Sequence, residues 1–225
     1  MTTDQPAAAD RLLDAALDHV PFDGWGDATL EAAARDTGLD PALARVLFPR
    51  GGLDLALAYH RRGDAAMRAA LGAVDLTALR YRERVTLAVR KRLESADREA
   101  VRRAATLMAL PHNAPEAARA LWTTADAIWT ALGDTSDDGN WYSKRAILSA
   151  VYSATVLFWL GDESENSAET WAFLDRRIED VMAFEKTKAQ IKASPVLSAT
   201  VGLPFRLLDR LKKPQAPGPT PGAWH

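Results

Sequence analysis

The chain of 225 residues contains no cysteine. This absence excludes disulfide bonds, thiolate catalysis and thiolate metal sites, and it is compatible with a reducing compartment. The net charge is only −2, so the chain as a whole does not attract nucleic acid. The N-terminal segment lacks both the apolar stretch of a signal peptide and the arginine-rich pattern of a transit peptide, and we expect a bacterial cytoplasmic protein.

Catalytic and cofactor motifs are also missing. None of the four histidines follows an acidic residue by three positions, as the Glu-x-x-His pairs of a di-iron bundle require. There is no His-Glu-x-x-His motif and no P-loop, and Gly24-Trp25-Gly26 lacks the third glycine of a dinucleotide loop. The adjacent carboxylates Asp137-Asp138 and Asp162-Glu163 lie in predicted turns, where helix capping explains them better than acid–base chemistry. We therefore expect a protein that is not an enzyme and needs no metal or cofactor.

Alternating strand patterns are absent as well, and apolar residues recur with helical spacing almost throughout the chain. The most apolar run, residues 146–160, contains no charged side chain. As a helix it would span roughly 22 Å, short of the roughly 30 Å hydrocarbon core of a bilayer, so we interpret it as a buried core helix. Its small residues share one face, which predicts either close packing against a neighbouring helix or room for an apolar ligand: Ala146, Ser149, Ala150, Ser153 and Ala154.

The first 74 residues are predicted to form a helical head. Turn residues divide residues 1–74 into three short helices and a longer connecting helix. Asp27 and Asp40 are the predicted caps of the second and third helices. This arrangement resembles the helix-turn-helix head of TetR-type regulators through the motifs Thr29-Leu30-Glu31-Ala32-Ala33-Ala34, Gly38-Leu39 and Val46-Leu47-Phe48-Pro49.

The charge of this head argues against DNA binding. Seven basic side chains stand against eleven acidic ones, so contacts with phosphates, which normally supply most of the affinity, would be unfavourable. Residues 41–46, the candidate reading helix, offer only Arg45 to a base edge or a phosphate. We therefore expect no nucleic-acid partner, with a ligand-responsive transcription regulator as the alternative.

Residues 80–103 reverse this balance, with nine basic against four acidic side chains. A solvated helix face is the simplest interpretation. Attraction to an acidic protein or to anionic headgroups is the alternative.

The second half of the chain carries the more specific motifs. They are Leu110-Pro111-His112-Asn113-Ala114-Pro115, Ala127-Ile128-Trp129, Gly133-Asp134-Thr135-Ser136, Asn140-Trp141-Tyr142-Ser143-Lys144-Arg145-Ala146, Asp162-Glu163-Ser164 and Glu169-Thr170-Trp171 with the residues up to Ile178. Together they are similar to the ubiquinone (coenzyme Q) biosynthesis accessory family, whose members have a TetR-like fold. The resemblance is dense over residues 110–181 and looser before them, and the Asn-Trp-Tyr segment after an acidic turn is its most specific part.

The resemblance implies a function without catalysis. Members of this family dimerise through their last bundle helices, enclose a lipid such as an isoprenoid quinone intermediate or a phospholipid, and present it to the membrane-associated di-iron hydroxylase of the ubiquinone pathway. It also implies a partner-binding patch near the lipid entrance at Asp126, Ile128, Trp129, Trp141 and Tyr142. Trp141 and Tyr142 follow a polar turn, residues 134–140, that is too hydrophilic to cover them, and exposed aromatic side chains at helix ends favour such a patch. For Trp129, which lies seven residues after Trp122, a core position fits equally well.

Two further predictions concern the last bundle helices. Leu148, Tyr152 and Phe158 are the predicted lining of the lipid cavity. The spacing of five apolar residues is consistent with a self-associating seam: Leu174, Ile178, Val181, Met182 and Phe184.

The C-terminal segment is basic and amphipathic. Residues 186–193 are predicted to form a polar tether, and residues 194–213 a helix kinked near Pro204. From residue 192 to 213 five basic side chains stand against one acidic, which suits an anionic bilayer surface, while packing on the protein's own bundle is the alternative. The predicted membrane-contacting residues are Leu197, Val201, Phe205, Arg206, Leu208, Arg210, Leu211, Lys212 and Lys213.

These observations predict an all-α, TetR-like bundle of about ten helices. Residues 1–74 would form the head and connector helix, 75–185 the lipid-binding and dimerisation bundle, 186–213 the tether and amphipathic membrane helix, and 214–225 a disordered, proline-rich tail. We expect a homodimeric lipid-binding accessory protein of ubiquinone biosynthesis, held peripherally on the inner membrane.

Overall fold

The computed structural model describes residues 5–137 and 139–193, and these residues form nine α-helices with no strand among them. The predicted all-α class is therefore confirmed. The predicted membrane-contacting residues from Leu197 to Lys213 and the tail 214–225 lie outside the described residues.

Four helices form the head: α1 (Gln5–Asp23), α2 (Asp27–Thr37), α3 (Pro41–Leu47) and α4 (Gly52–Gly72). The carboxylate of Asp40 accepts a hydrogen bond from the backbone N–H of Ala42 at 2.8 Å and caps α3, as predicted. Asp27 lies in the first turn of α2 after the cap residue Gly26, so the predicted cap is displaced by one residue. Its negative charge still suits this end of the helix dipole.

Five helices form the body: α5 (Tyr81–Glu94), α6 (Arg98–Met108), α7 (Ala114–Ala131), α8 (Gly139–Gly161) and α9 (Ala168–Ala193). Helix α8 packs against both α7 and α9. The side chains of Val89, Ile128, Leu148 and Leu174 come from four of these helices and are buried in one core. Burying each such side chain contributes about 1.5–3 kcal/mol, which is why the apolar stripes of the body helices face one another.

The head and the body are joined by packing and by one buried hydrogen bond. Ala100 of α6 is buried in the same cluster as Leu12, Val20 and Leu30 of the head. The indole Nε1 of Trp25 donates to the carbonyl oxygen of Ala100 at 2.9 Å. The head is therefore part of the folded scaffold that supports the body.

Helix α8 is not buried on all sides, contrary to the expectation for its apolar run. Tyr152, Thr155 and Trp159 face the interior, but Leu157 is 64% exposed, and Ala146 is exposed at the other end of the same run. The small-residue face that was predicted to pack closely or to admit a ligand is thus only partly covered by the described residues. The cause is that the helices in contact with α8, which are α7, α9 and to a smaller extent α6, leave this side of it open.

Helix α9 also departs from expectation. Leu174 is fully buried and Ile178 is 7% exposed, both within the core of the body. The predicted self-associating seam is therefore wrong for these two residues, which pack inside their own chain. Residues 186–193, predicted as a polar tether, continue α9 as a helix.

Candidate functional site

Helix α8 has a cavity on each of two opposite faces. The first cavity has a volume of about 230 Å³ and is lined by side chains from α5, α7, α8 and α9. Val85, Ile147, Leu148, Val151 and Ile178 form its apolar wall. Such a cavity suits an apolar molecule, because bundle interiors with few polar groups are common binding places for these ligands.

The polar groups of the first cavity come from α5, α7 and the start of α8. The ring of Tyr81 stacks on Trp129 with the ring centres 5.6 Å apart, and the ammonium group of Lys144 lies 5.6 Å from the Trp129 ring centre. Burial, and then the negative charge of Asp134, raise the pKa of Tyr81 to about 12. Tyr81 is thus a neutral phenol at physiological pH and can donate or accept a hydrogen bond.

A buried ion network holds the start of α8 against the end of α7. Arg145, whose side chain is 2% exposed, donates from Nε to Asp126 Oδ1 at 2.6 Å and from Nη1 to Asp134 Oδ2 at 3.2 Å. Lys144 Nζ donates to Asp134 Oδ1 at 2.7 Å. Burial opposes ionisation of Asp134, but hydrogen bonds from Lys144, Ser136 and Arg145 outweigh it and lower its pKa to about 2. The network fixes the turn that leads into the Asn-Trp-Tyr segment.

The predicted partner-binding patch is largely inside the protein. Ile128 is fully buried and Trp141 is 8% exposed, so the prediction of a surface patch is wrong for these two. Trp129 is 6% exposed and takes the core position that was its alternative. Asp126 and Tyr142 remain partly exposed. Packing by neighbouring side chains buries the other three residues.

Three neighbouring groups cover Trp141. The guanidinium of Arg145 lies 4.0 Å from the Trp141 ring centre, and the rings of Tyr142 and Trp122 lie 4.8 and 5.8 Å from it. A hydrophilic turn predicts exposure only if nothing else covers the aromatic residue. Here the neighbouring cation and rings do so.

The three predicted lining residues are separated by the structure. Leu148 lines the first cavity, and Tyr152 lines a second cavity of about 240 Å³ on the other face of α8, between α4, α6 and α7. Phe158 lines neither cavity and stacks on Phe173 of α9 with ring centres 4.6 Å apart. The prediction for Phe158 is therefore wrong, because helical spacing turns this residue towards α9.

Several residues of the site were not predicted as site residues. Tyr81 and Val85 of α5 line the first cavity. Lys144 and Arg145 directly precede the apolar run of residues 146–160 and take part in the buried ion network. Two adjacent cations next to that run, following an acidic turn at Asp134, are the signal that could have indicated a buried ion network.

Comparison with solved structures defines the fold class. The chain is similar to the TetR transcriptional regulator from Nitrosomonas europaea with a TM-score of 0.63 and 22% identity, covering 77% of this chain and 97% of that chain. The predicted TetR-like fold is thereby confirmed. At this identity the likeness concerns the fold alone.

Comparison of sequences shows which protein family the chain resembles. Residues 114–185, which contain α7, α8 and most of α9, match the model of the COQ9 family. The mitochondrial ubiquinone biosynthesis protein COQ9 of Homo sapiens is 32% identical over 193 residues, covering 82% of this chain and 60% of that protein. The COQ9 of Rattus norvegicus is 33% identical, covering 82% of this chain and 62% of that protein. The predicted family resemblance is confirmed, since the chain is similar to COQ9 proteins over most of its length.

The extent of these matches bears on the site. The chain spans about 60% of the length of the curated relatives it matches. The segment 114–185 supplies ten of the thirteen residues that line the first cavity, and the other three, Tyr81, Arg82 and Val85, belong to α5.

 The second cavity, in contrast, also draws on α4, α5 and α6, which precede residue 114.

Two further properties concern membranes and metals. Among the helices within residues 5–137 and 139–193, none is both long and apolar enough to cross a bilayer. The same residues contain no group of three or more histidine, aspartate or glutamate side chains placed to hold a metal ion.

Proposed function

We propose that this protein is a non-catalytic lipid-binding accessory protein of ubiquinone biosynthesis. It would hold an isoprenoid quinone intermediate, or a phospholipid, in the first cavity and present it to the di-iron hydroxylase of the pathway at the membrane. The observation that carries the proposal is an apolar cavity built mainly from the segment that matches the COQ9 family. The names of the relatives support a role in ubiquinone biosynthesis, and the apolar cavity supports a role in binding a lipid.

The size and chemistry of the first cavity limit how such a ligand sits. Its volume of about 230 Å³ lies below the roughly 300–1,000 Å³ of pockets that enclose a drug-sized molecule. A ring and a short piece of chain fit inside, and the remaining chain would extend out of the opening. Tyr81 and Lys144 offer hydrogen-bond donors to the oxygen atoms of a quinone or a lipid headgroup.

The buried members of the predicted partner patch change how the hydroxylase would be engaged. Asp126 and Tyr142 are partly exposed and would contact the partner directly. Trp129 lines the first cavity and Trp141 packs under Arg145, so these two would act by shaping the cavity and its entrance. Binding of the hydroxylase and binding of the lipid would then depend on the same packed segment.

A homodimer would cover the open side of α8. Ala146, Ala150 and Leu157 are exposed on this helix at spacings of four and seven residues, which places them along one side. An uncharged stripe of this kind favours burial against a second copy of the same stripe, as in a two-fold interface. The protein would therefore associate through α8, and not through the seam of α9 that the sequence predicts.

The location at the membrane rests on sequence alone. The basic, amphipathic residues 194–213 would hold the dimer on the anionic inner membrane of a bacterial cell. Deletion of residues 194–225 should abolish binding to vesicles of phosphatidylglycerol and phosphatidylcholine while the circular dichroism spectrum of the bundle is unchanged. Retained vesicle binding would contradict this role.

Lipid capture can be tested with two matched substitutions on α8. Val151→Phe adds a ring in the first cavity, and Val156→Phe adds the same ring in the second cavity. We expect organic extraction and mass spectrometry to find an isoprenoid or phospholipid in the wild-type protein and in Val156→Phe, and to find much less in Val151→Phe. Equal lipid content in all three proteins, or none in the wild type, would overturn the proposal.

A ligand-responsive transcription regulator is the second candidate, favoured by the TetR-like fold. The head opposes it electrostatically, because Arg45, the single basic residue of α3, donates from Nη1 to Asp27 Oδ1 at 3.0 Å. Gel-shift experiments with fragments of the source genome at low salt separate the two functions. Sequence-selective binding would favour the regulator, and we expect none.

A further inference from the structure

The second cavity has a different character from the first. It lies between α4, α6, α7 and α8, and its volume is about 240 Å³. An engineered apolar cavity of about 150 Å³ is enough for benzene, so this one has room for a single ring with a short substituent. Six alanines supply much of its wall and leave the space open: Ala56, Ala104, Ala105, Ala109, Ala117 and Ala120.

One end of the second cavity is polar and firmly held. Arg92 is 3% exposed, and its Nε donates to Asp64 Oδ1 at 2.7 Å. Thr124 Oγ1 donates to the same oxygen at 2.9 Å, and Arg92 Nη2 donates to the carbonyl oxygen of His60 at 3.1 Å. The sequence assigns Arg92 to a solvated basic face, and the structure corrects this assignment because Asp64 of α4 offers a buried partner. A buried pair of this kind costs several kcal/mol per ion in desolvation and so is weak as a source of stability.

The hydrogen bonds of His60 define its protonation. Its Nε2 lies 2.7 Å from Thr124 Oγ1 and 3.2 Å from the carbonyl oxygen of Ala120, which can only accept, so Nε2 carries the proton. Its Nδ1 then accepts from Arg92 Nη2 at 3.4 Å. Burial, followed by the positive charge of Arg92, lowers the pKa of His60, and the imidazole is therefore neutral at physiological pH.

Besides the buried Oδ2 of Asp64, which has no hydrogen-bond partner, two polar groups of cavity-lining residues lack one among the described residues. No hydrogen bond in that part of the chain involves Nη1 of Arg92 or the hydroxyl group of Tyr152, which is 3% exposed. Both residues line the cavity. A guanidinium N–H donates only, whereas a phenol hydroxyl donates and accepts. A ligand oxygen between them could accept from Arg92 and exchange a second hydrogen bond with Tyr152.

The charge at this end selects among ligands with such an oxygen. Asp64 neutralises Arg92, and His60 is neutral, so the end of the cavity carries no net charge. A carboxylate would add a second negative charge close to the buried Asp64 without a cation of its own. A phenol or a ring ketone would supply the oxygen without that charge.

We propose that the second cavity binds a small neutral ring compound that carries a hydroxyl or carbonyl oxygen, with the oxygen against Arg92 and Tyr152 and the ring among the alanines. This site lies on the opposite face of α8 from the first cavity. It does not depend on lipid binding there, and the two sites can be tested separately.

The test uses the full chain and three probes of the same shape. Isothermal titration calorimetry measures the affinity for each probe. 4-Propylphenol carries a neutral oxygen, propylbenzene carries none, and 4-propylbenzoate carries a charged carboxylate. One hydrogen bond changes affinity by about two- to tenfold, so we expect 4-propylphenol to bind more tightly than propylbenzene by that factor. We expect 4-propylbenzoate to bind most weakly. Failure of 4-propylphenol to bind, or tighter binding of the benzoate, would overturn the proposal.

Variants assign the binding to the second cavity. Val156→Phe should abolish binding of 4-propylphenol, and Val151→Phe should leave it unchanged. Tyr152→Phe should lower the ratio of the affinities for 4-propylphenol and propylbenzene towards one. If circular dichroism finds Val156→Phe unfolded, Ala105→Leu on α6 replaces it as the filling variant. Loss of phenol binding in Val151→Phe with retention in the filling variant would refute the assignment. The lipid content of Val151→Phe tests only the proposed function of the first cavity and has no bearing on ligand binding in the second.

Discussion

Replacing Arg145 with methionine tests whether the buried ion network holds the Asn-Trp-Tyr segment in place. Methionine keeps the length of the side chain but removes the bonds to Asp126 and Asp134 and the contact with the Trp141 ring. Breaking a buried pair by removing one partner costs about 3–5 kcal/mol. We expect a loss near the lower end, about 3 kcal/mol in the free energy of unfolding, for two reasons. The side chain of Asp126 is 44% exposed and stays solvated, and Asp134 keeps its bond from Lys144.

The assay is urea denaturation followed by tryptophan fluorescence at pH 7. Arg119→Met on α7 is the matched control, because Arg119 is exposed and such surface changes stay within about 0.5 kcal/mol. A loss of less than about 1 kcal/mol in Arg145→Met, or a loss equal to that of Arg119→Met, would refute the view that the network organises this end of the bundle.

The pH dependence of the same two proteins gives an independent check. The pKa of Asp134 falls from 3.8 to about 2 on folding, so its contribution is present above pH 4 and is lost as the pH falls towards 2. At 1.36 kcal/mol per pKa unit this contribution is about 2 kcal/mol. Removing Arg145 removes one of the hydrogen bonds that lower this pKa, so the loss of stability between pH 4 and 2 should be smaller in Arg145→Met. An identical acid profile in the two proteins would contradict the assignment of the pKa.

Three other substitutions have expected outcomes. Trp141→Ala should lower the free energy of unfolding by about 3–5 kcal/mol because the side chain is buried, so any loss of hydroxylase binding must be measured where circular dichroism shows the fold intact. Gly63→Ala should destabilise by about 1–3 kcal/mol in thermal denaturation because the new Cβ would lie 2.5 Å from the guanidinium of Arg92, whereas Gly72→Ala, with no atom within 4 Å, should not destabilise. Ala150→Glu should convert a dimer into a monomer in analytical ultracentrifugation, and an unchanged sedimentation coefficient would argue against α8 as the interface.

The parts of the site that the sequence predicts are those with a local cause. The Asp40 cap and the helical spacing of residues 146–160 act within a few residues of the chain, and both are found where expected. The exposure of Trp141 was predicted from its neighbouring turn and is wrong, because Trp122 of α7 and Arg145 cover it. Phe158 was placed in a cavity for its apolar character, but only packing decides which neighbour a helical residue faces.

The amino-acid sequence by itself determined the all-α class, the acidic head and the family resemblance, because periodicity, charge and motifs are properties of adjacent residues. The tertiary structure alone decided that α8 divides two cavities, since Leu148 and Tyr152 are only four residues apart yet line different ones. It also decided that Arg92 is buried against Asp64, 28 residues away in the chain. Such pairings depend on how helices cross, and no local pattern contains that information.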